Sequence, residues 1–185
     1  MDFYSEINYN LYITLEQTSC ENNIKTRQNA EEKIKKLAEE NLGQLLIDLS
    51  SIMSDKELKS EIRQKIFKIF QNILMHPRYY ENYLYLSSEI KNKIKDKIFQ
   101  GFDSEEQNMR ISAALAIYAI SKIELPRNEF LFIFDIFTEN FQKKNVNVQI
   151  ATIITINFIL KDVKNEEIII SNENIAKLIN IYDLN

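Results

Sequence analysis

Apolar residues recur every three or four positions along most of the chain, which is the spacing of one face of an α-helix. One stripe runs from Leu42 to Met53 and a second from Leu58 to Leu74. Each stripe predicts a helix with one buried face and a polar back. The 185 residues include only two glycines and two prolines, whereas folds rich in tight turns use both residues often. The sequence therefore predicts an all-α protein of long helices and short polar connectors.

Stop and start signals between the stripes divide the chain into helical segments. Pro77 and Pro126 predict helix ends, because proline disfavours helical dihedral angles in the residue before it. Asp55 predicts a helix beginning near residue 57, and the acidic stretch 103–106 predicts another helix start. Ten segments result, at approximately 7–18, 22–39, 41–53, 57–76, 82–101, 104–123, 127–143, 146–161, 165–171 and 173–183.

Two of these segments leave an alternative open. Residues 150–160 are rich in β-branched side chains and are also compatible with a buried strand, although the helical neighbours favour a helix there. The short segment 165–171 contains three consecutive isoleucines, and it is compatible with an extended connector.

The helix pairs repeat with a period of roughly 40 residues, which is typical of HEAT and armadillo units. A single helical hairpin cannot bury its apolar face alone, so neighbouring hairpins must stack. We expect one domain over residues 1–185, a right-handed α-solenoid of HEAT repeats with about four hairpins and a partial fifth. The last stripe has no later partner to cover it, which predicts a piece of a longer protein.

Charge and cysteine usage narrow the possible partners. The net charge of −4 lacks the basic excess that nucleic-acid binding usually requires. The lysines of 91–97 are better interpreted as the solvated face of a helix whose isoleucines point inward. No run approaches 18 apolar residues, and the first residues do not resemble a signal peptide, so we expect no membrane partner. Cys20 is the only cysteine, which fits a reducing compartment.

The residue types that carry catalysis are not grouped in the sequence. Gly43 and Gly101 are isolated, so no phosphate-binding loop is predicted. His76 is the only histidine and precedes a proline at a helix end, where a cap or surface role is more common than general-base catalysis. Cys20 lies beside Glu21, which disfavours a reactive thiolate. We therefore predict no enzyme activity, no metal and no cofactor, and expect a protein-binding surface.

A specific resemblance appears in residues 15–74, which begin LEQT and continue through NIKTRQNAEEKIKKL. This stretch resembles the N-terminal domain of the importin-β family, at about residues 15–75. A second match is 119–130, AISKIELPRNEF, where Phe130 replaces the family's usual tryptophan. The resemblance covers about residues 11–162 and favours importin-β over transportins and exportins. Positions that fit the first pattern are Arg27, Ala30, Glu31, Ile34, Leu37, Leu42, Leu46, Leu49, Arg63, Asn72 and Leu74.

The resemblance implies a nuclear transport receptor that shuttles between cytoplasm and nucleus through the nuclear pore. Such receptors bind the GTP form of the GTPase Ran, phenylalanine-glycine repeats of nucleoporins, and cargo or the importin-α adaptor. In this family the main nucleoporin and adaptor regions lie in later repeats. The alternatives are a HEAT-repeat scaffold subunit of a stable complex, or another karyopherin such as a transportin or exportin.

The resemblance also implies Ran contacts at five positions. Asn72 matches the asparagine of a family Lys-Asn pair, but Gln71 replaces the lysine. Asp162 matches an acidic residue at the end of the fourth inner helix, and Asn108 and Arg110 lie where the third inner helix begins. The alternative is that these residues are solvent-exposed polar groups at helix ends.

Overall fold

The computed structural model describes residues 3–18, 23–55, 57–165, 168 and 170–183. Within these ranges the chain forms α-helices and short 3-10 turns, without a β-strand. The helices are α1 (Phe3–Gln17), α2 (Ile24–Ser54), α3 (Ser60–Met75), α4 (Pro77–Leu84), α5 (Ser88–Phe99), α6 (Gln107–Glu124), α7 (Ile133–Gln142), α8 (Val146–Lys164) and α9 (Asn172–Asp183).

The predicted helical class is confirmed, including the segment that was also compatible with a strand. Residues 150–160 lie inside α8, whose N-terminus is capped by the Asn145 side chain accepting a hydrogen bond from the Val148 N–H at 3.2 Å. Part of the predicted segment 165–171 lies outside the described residues, and its described positions are not helical. Cys20 also lies outside the described residues.

The helix predicted over 82–101 corresponds to α5, but it starts too early, and the separate helix α4 before it was not predicted. Pro77 ends α3, as predicted, and it also begins α4, where its missing N–H costs nothing in the first turn. His76 caps both helices. Its backbone N–H donates to Ile73 O at 3.2 Å, and its Nδ1 accepts from the Arg78 N–H at 3.2 Å. The lone histidine is therefore an exposed cap, as its position suggested.

The starts of two other helices were predicted too early. Asp55 Oδ1 does accept from the Glu57 N–H at 2.9 Å, but this bond closes a turn, and α3 begins only at Ser60. The segment predicted at 127–143 begins at Ile133. Residues Leu125–Arg127 form a 3-10 turn, and Asn128 adopts the left-handed conformation (φ 57°), which reverses the chain before α7.

The first compact unit ends at Lys97. Within it, α1 packs against α2, and α2 packs against α3 and α4. The centre is formed by large side chains with almost no exposed surface: Leu46, Leu49, Phe67, Phe70 and Tyr83. Burial of each such side chain stabilises a fold by about 1.5–3 kcal/mol.

A kink at Asn41 divides α2 into two segments, which match the separate helices predicted at 22–39 and 41–53. Asn41 has extended dihedral angles (φ −158°, ψ 83°) between helical neighbours. Its Oδ1 accepts from the Gln44 N–H at 3.0 Å, so the residue that breaks the first segment caps the second. Gly43 follows, and a Cβ there would meet Leu86 Cδ2 at 2.9 Å. The glycine thus allows the second segment to approach the start of α5 closely.

Two lysines of the 91–97 stretch are buried, which corrects the prediction that these lysines face solvent. Lys91 and Lys95 are 6% and 3% exposed, whereas Lys93 and Lys97 are exposed. Lys91 Nζ donates to Leu84 O at 3.2 Å and lies 5.4 Å from the centre of the Tyr83 ring. Because α4 ends just before α5, its unpaired terminal carbonyls offer an acceptor for a lysine that follows.

The second compact unit begins at Ile98 and is centred on α6, which packs along α8. These two helices run parallel, since hydrogen bonds join both their N-terminal and their C-terminal ends. At the N-terminal ends Asn145 donates to Asp103, and at the C-terminal ends Tyr118 and Lys122 donate to Asp162. The helices α7 and α9 both pack against α8. By length and composition alone α8 could cross a membrane, and here it packs among α6, α7 and α9.

Candidate partner-binding surfaces

The five residues predicted to contact Ran fall in both compact units. Gln71 and Asn72 lie in the last turns of α3, in the first unit. Asn108 and Arg110 begin α6, and Asp162 lies near the end of α8, in the second unit.

Asn72 is exposed and lines a cavity of about 480 Å³ among α2, α3 and α4. The side chains below it are apolar and largely buried: Ile34, Ile69, Ile73 and Tyr79. Three lysines stand around them, Lys35 from α2 and Lys65 and Lys68 from α3. We call this site the lysine cavity.

Helical spacing brings the α3 side of the lysine cavity together. Lys65, Lys68 and Asn72 are separated by three and four positions, so they share one face of the helix. Ile69 and Ile73 lie on the same side, which gives the cavity its apolar floor. Lys35 comes from the adjacent helix α2, next to the buried Ile34.

Glu31 lines the lysine cavity, Glu39 lies outside its lining, and both carboxylates pair with arginines. Glu31 Oε1 lies 3.9 Å from Arg27 Nε, and Glu39 Oε1 lies 2.9 Å from Arg78 Nη1. Among the described residues, the lysines of the cavity form no ion pair. Lys65 is only partly exposed, whereas Lys35 and Lys68 are exposed. The cavity is therefore a positive site on a chain whose net charge is −4.

Asp162 is buried and is already bonded within the chain. It is 5% exposed, its Oδ2 accepts from the Tyr118 hydroxyl, and Lys122 Nζ lies 3.0 Å from the same oxygen. The Tyr118 ring also packs against Phe158, with ring centres 5.3 Å apart. The alternative of a solvent-exposed polar residue is thus wrong for Asp162, whose carboxylate ties α6 to α8.

Arg110 is buried as well, whereas Asn108 is exposed. Arg110 Nη1 donates to Ser104 O at 2.8 Å and to Glu105 O at 2.9 Å, which fixes the turn before α6. The exposed-residue alternative therefore fits Asn108 and is wrong for Arg110. Arg110 and Lys122 are twelve positions apart on α6, about 18 Å along the helix axis, so Arg110 and Asp162 do not form one site.

The three cavity lysines were not predicted as site residues. The spacing of Lys65 and Lys68 in α3 was visible in the sequence, and it indicates only that both lie on one side of a helix. Nothing in that pattern shows that Lys35 of another helix faces them. Within the part of the chain that the structure describes, no group of three or more histidine, cysteine or carboxylate side chains could hold a metal ion.

Comparison with known proteins identifies relatives in sequence and in fold, although no family model matches the chain. Importin subunit beta-1 of Arabidopsis thaliana is 22% identical over 159 residues, which are 83% of this chain and 18% of that protein. A structure of Kap95p that describes its binding to RanGDP superposes with a TM-score of 0.75 at 24% identity, over 82% of this chain and 18% of that one. A Kap95:Nup1 complex gives a TM-score of 0.79 at 22% identity, over 94% and 21% of the two chains.

The chain thus spans about a fifth of the length of the relatives that it matches. The similarity still covers most of this chain, and it agrees with the repeat period and the two motifs found in the sequence. The chain therefore has the HEAT-repeat α-solenoid fold and is similar in sequence and structure to importin-β.

Proposed function

We propose that this chain acts in a nuclear transport receptor of the importin-β type. Such a receptor binds the GTP form of Ran and nucleoporin repeats, and it carries protein cargo, directly or through importin-α, into the nucleus. It works in the cytoplasm, in the nucleus and at the nuclear pore, and it catalyses no reaction.

The relatives support this proposal through the partners that they bind. Kap95p is described in complex with RanGDP, whose switch loops adopt the GTP-bound conformation, and also in complex with Nup1. The present chain matches most of its own length to the same fold. A receptor that binds both Ran and a second ligand can use one to control the other, because the two binding free energies are coupled.

The observation that carries the proposal is the position of Asn72. This residue matches the family pattern and is exposed at the edge of the lysine cavity, where a protein partner can reach it. Gln71, beside it, and Asn108, on α6, are also accessible and are proposed as further contacts. Arg110 and Asp162 are proposed to hold the surface of α6 and α8 in place, since their side chains are engaged within the chain.

The proposal is tested by measuring the affinity of the chain for Ran loaded with a GTP analogue or with GDP. Low salt is required, because contacts between exposed charges are screened within about 10 Å at 0.1 M ionic strength. Tighter binding to the GTP form is expected. Equal affinity for both forms would instead favour the scaffold alternative.

In the proposed importin, binding of Ran-GTP releases cargo, so the two ligands oppose each other through one coupling free energy. Cargo affinity, measured with and without Ran-GTP in the whole receptor that contains this chain, should therefore fall when Ran-GTP is present. An unchanged or higher cargo affinity would contradict the import assignment.

A further inference from the structure

We propose that the lysine cavity is a docking site for an acidic peptide segment that carries one bulky apolar side chain. This inference rests on the proposed function for its protein partner and adds the chemistry that the partner must present. The carboxylates of the segment pair with Lys35, Lys65 and Lys68, and the apolar side chain occupies the floor of the cavity.

The charge of the cavity selects an anionic ligand. The lining residues carry four cationic groups and one carboxylate, and Arg78 among the cations is paired with Glu39 outside the lining. Within the described part of the chain, the three lysines of the cavity thus form no ion pair, and the single lining carboxylate, Glu31, is paired with Arg27. Each ammonium group can form a charge-assisted hydrogen bond with a carboxylate of the ligand.

The floor and size of the cavity select a peptide over a small anion. Ile34, Ile69 and Ile73 present apolar surface that a phosphate ion leaves unused. A volume of about 480 Å³ lies within the range of about 300–1,000 Å³ that is typical of sites for larger ligands. Asn72 at the edge can both donate to and accept from a peptide backbone. The apolar floor, the volume and Asn72 together fit an extended peptide that inserts one side chain into the cavity and leaves the neighbouring side chains outside.

The test uses three fluorescein-labelled heptapeptides of our own design: DEDFDED, DEDADED and NQNFNQN. Their affinity for the chain is measured by fluorescence anisotropy in 50 mM and 500 mM salt. The first peptide has both features, the second lacks the apolar side chain, and the third lacks the charges. We expect DEDFDED to bind at least tenfold more tightly than either other peptide, and to weaken at 500 mM salt.

A triple substitution of Lys35, Lys65 and Lys68 to glutamine removes the cationic groups without a large change in shape. The matched control substitutes Lys25, Lys33 and Lys36, which are exposed lysines of α2 outside the cavity lining. Both variants lower the net charge by the same amount, so nonspecific electrostatic attraction between the chain and the peptide is the same in the two. Thermal unfolding of both variants verifies that they remain folded.

The expected result is a loss of at least tenfold in DEDFDED affinity for the cavity variant and less than twofold for the control. Equal losses in the two variants would overturn the proposal, because binding would then follow total charge. Equal affinity for DEDFDED and DEDADED would overturn it too, as would displacement of the labelled peptide by millimolar inorganic phosphate alone.

This experiment is independent of Ran. If DEDFDED binds as expected and Ran binding fails, the cavity is a docking site and the receptor function is wrong. If Ran-GTP binds and the peptide does not, the proposed function stands and the cavity chemistry is wrong.

Discussion

The Tyr118 hydroxyl donates to the carboxylate of Asp162, which joins the C-terminal end of α6 to that of α8. Lys122 lies 3.0 Å from the same carboxylate oxygen. One buried carboxylate thus has two donors from the neighbouring helix, one neutral and one charged. Burying a carboxylate is costly unless it is hydrogen-bonded, so both donors offset the cost of burying the Asp162 side chain.

Tyr118→Phe should lower the free energy of unfolding by about 1.5–3 kcal/mol, the usual contribution of a hydrogen bond to a charged group. The phenylalanine ring keeps its contact with Phe158, so the loss reports the hydroxyl alone. Urea unfolding followed by circular dichroism measures it. Tyr12→Phe is the matched control, because Tyr12 donates to Glu16 at 2.7 Å in an exposed setting, and there we expect no measurable change. Equal effects at the two tyrosines would show that Asp162 does not depend on Tyr118.

Gly43→Val should destabilise the chain by about 1–3 kcal/mol, because added side-chain atoms crowd Leu86. Gly43→Ala should be nearly neutral. The far end of Leu86 can shift away from a single methyl group, and alanine is favoured over glycine in a helix by about 1 kcal/mol. Leu86→Ala combined with Gly43→Val should recover part of the loss. No recovery in the double variant would mean that Leu86 is not the group that limits this position.

Arg63→Lys should cost about 1.5–3 kcal/mol of stability, although the charge is kept. Arg63 is 7% exposed, and its Nε donates to Met53 O at 2.9 Å, at the C-terminal end of α2. Lysine has no donor at that point of the side chain and cannot reproduce the planar guanidinium. The exposed Arg78→Lys is the control, because exposed ion pairs such as Arg78–Glu39 contribute at most about 1 kcal/mol. Chemical unfolding of both variants measures the two losses in the free energy of unfolding. A larger loss for Arg78→Lys than for Arg63→Lys would contradict the prediction.

Asp48→Asn should stabilise the chain at neutral pH. Burial raises the pKa of Asp48 above its usual range, and the hydrogen bond from Gln44 opposes that shift only in part. The folded chain therefore holds this proton more tightly than the unfolded chain, whose aspartate pKa is about 3.9. The free energy of unfolding then falls as pH rises from the unfolded pKa through the folded pKa.

Thermal unfolding between pH 3 and pH 7 checks the Asp48 prediction. The variant and the natural chain should be equally stable at the acidic end, and the variant should be more stable at the neutral end. Asp96→Asn, at an exposed position, is the control for the exchange of a carboxylate for an amide. If the stability difference between the variant and the natural chain were the same at every pH, the substitution would act through packing and not through ionisation of Asp48.

Gln71→Lys should tighten binding to Ran-GTP by up to about fivefold, since an exposed ion pair contributes about 0.2–1 kcal/mol. The substitution restores the lysine that the importin-β pattern has before Asn72. Gln28→Lys adds the same charge at an exposed position of α2 and should leave the affinity unchanged. Titration of Ran-GTP against the three chains measures the difference, and a gain shared by both variants would indicate general electrostatic attraction.

The helices were predictable where an apolar stripe extends over several turns. The stripe from Leu58 to Leu74 matches α3, and the break near Asn41 was also predicted. The errors occur where one residue acts in two ways. Pro77 ends one helix and begins the next, and a rule that treats proline only as a stop does not predict α4.

The candidate site was less predictable, because it depends on contacts between helices. Lys91 lies on the polar side of its own helix, yet the carbonyl of Leu84 in the preceding helix draws it into a buried position. Lys35 and Lys65 are thirty positions apart, and neither local pattern indicates that they line one cavity. Asn72 was identified through the family pattern, whereas its position at that cavity required the structure.

The kink at Asn41 has a consequence for how amide protons exchange with solvent. Asn41 interrupts the regular dihedral angles of α2, although the helix continues past it. The Gln44 amide donates to the Asn41 side chain, so its protection depends on that residue. Hydrogen exchange should therefore divide α2 into two protected blocks, with Asn41→Ala accelerating exchange at Gln44 first. The boundary between two units of cooperative opening would then lie inside a single helix.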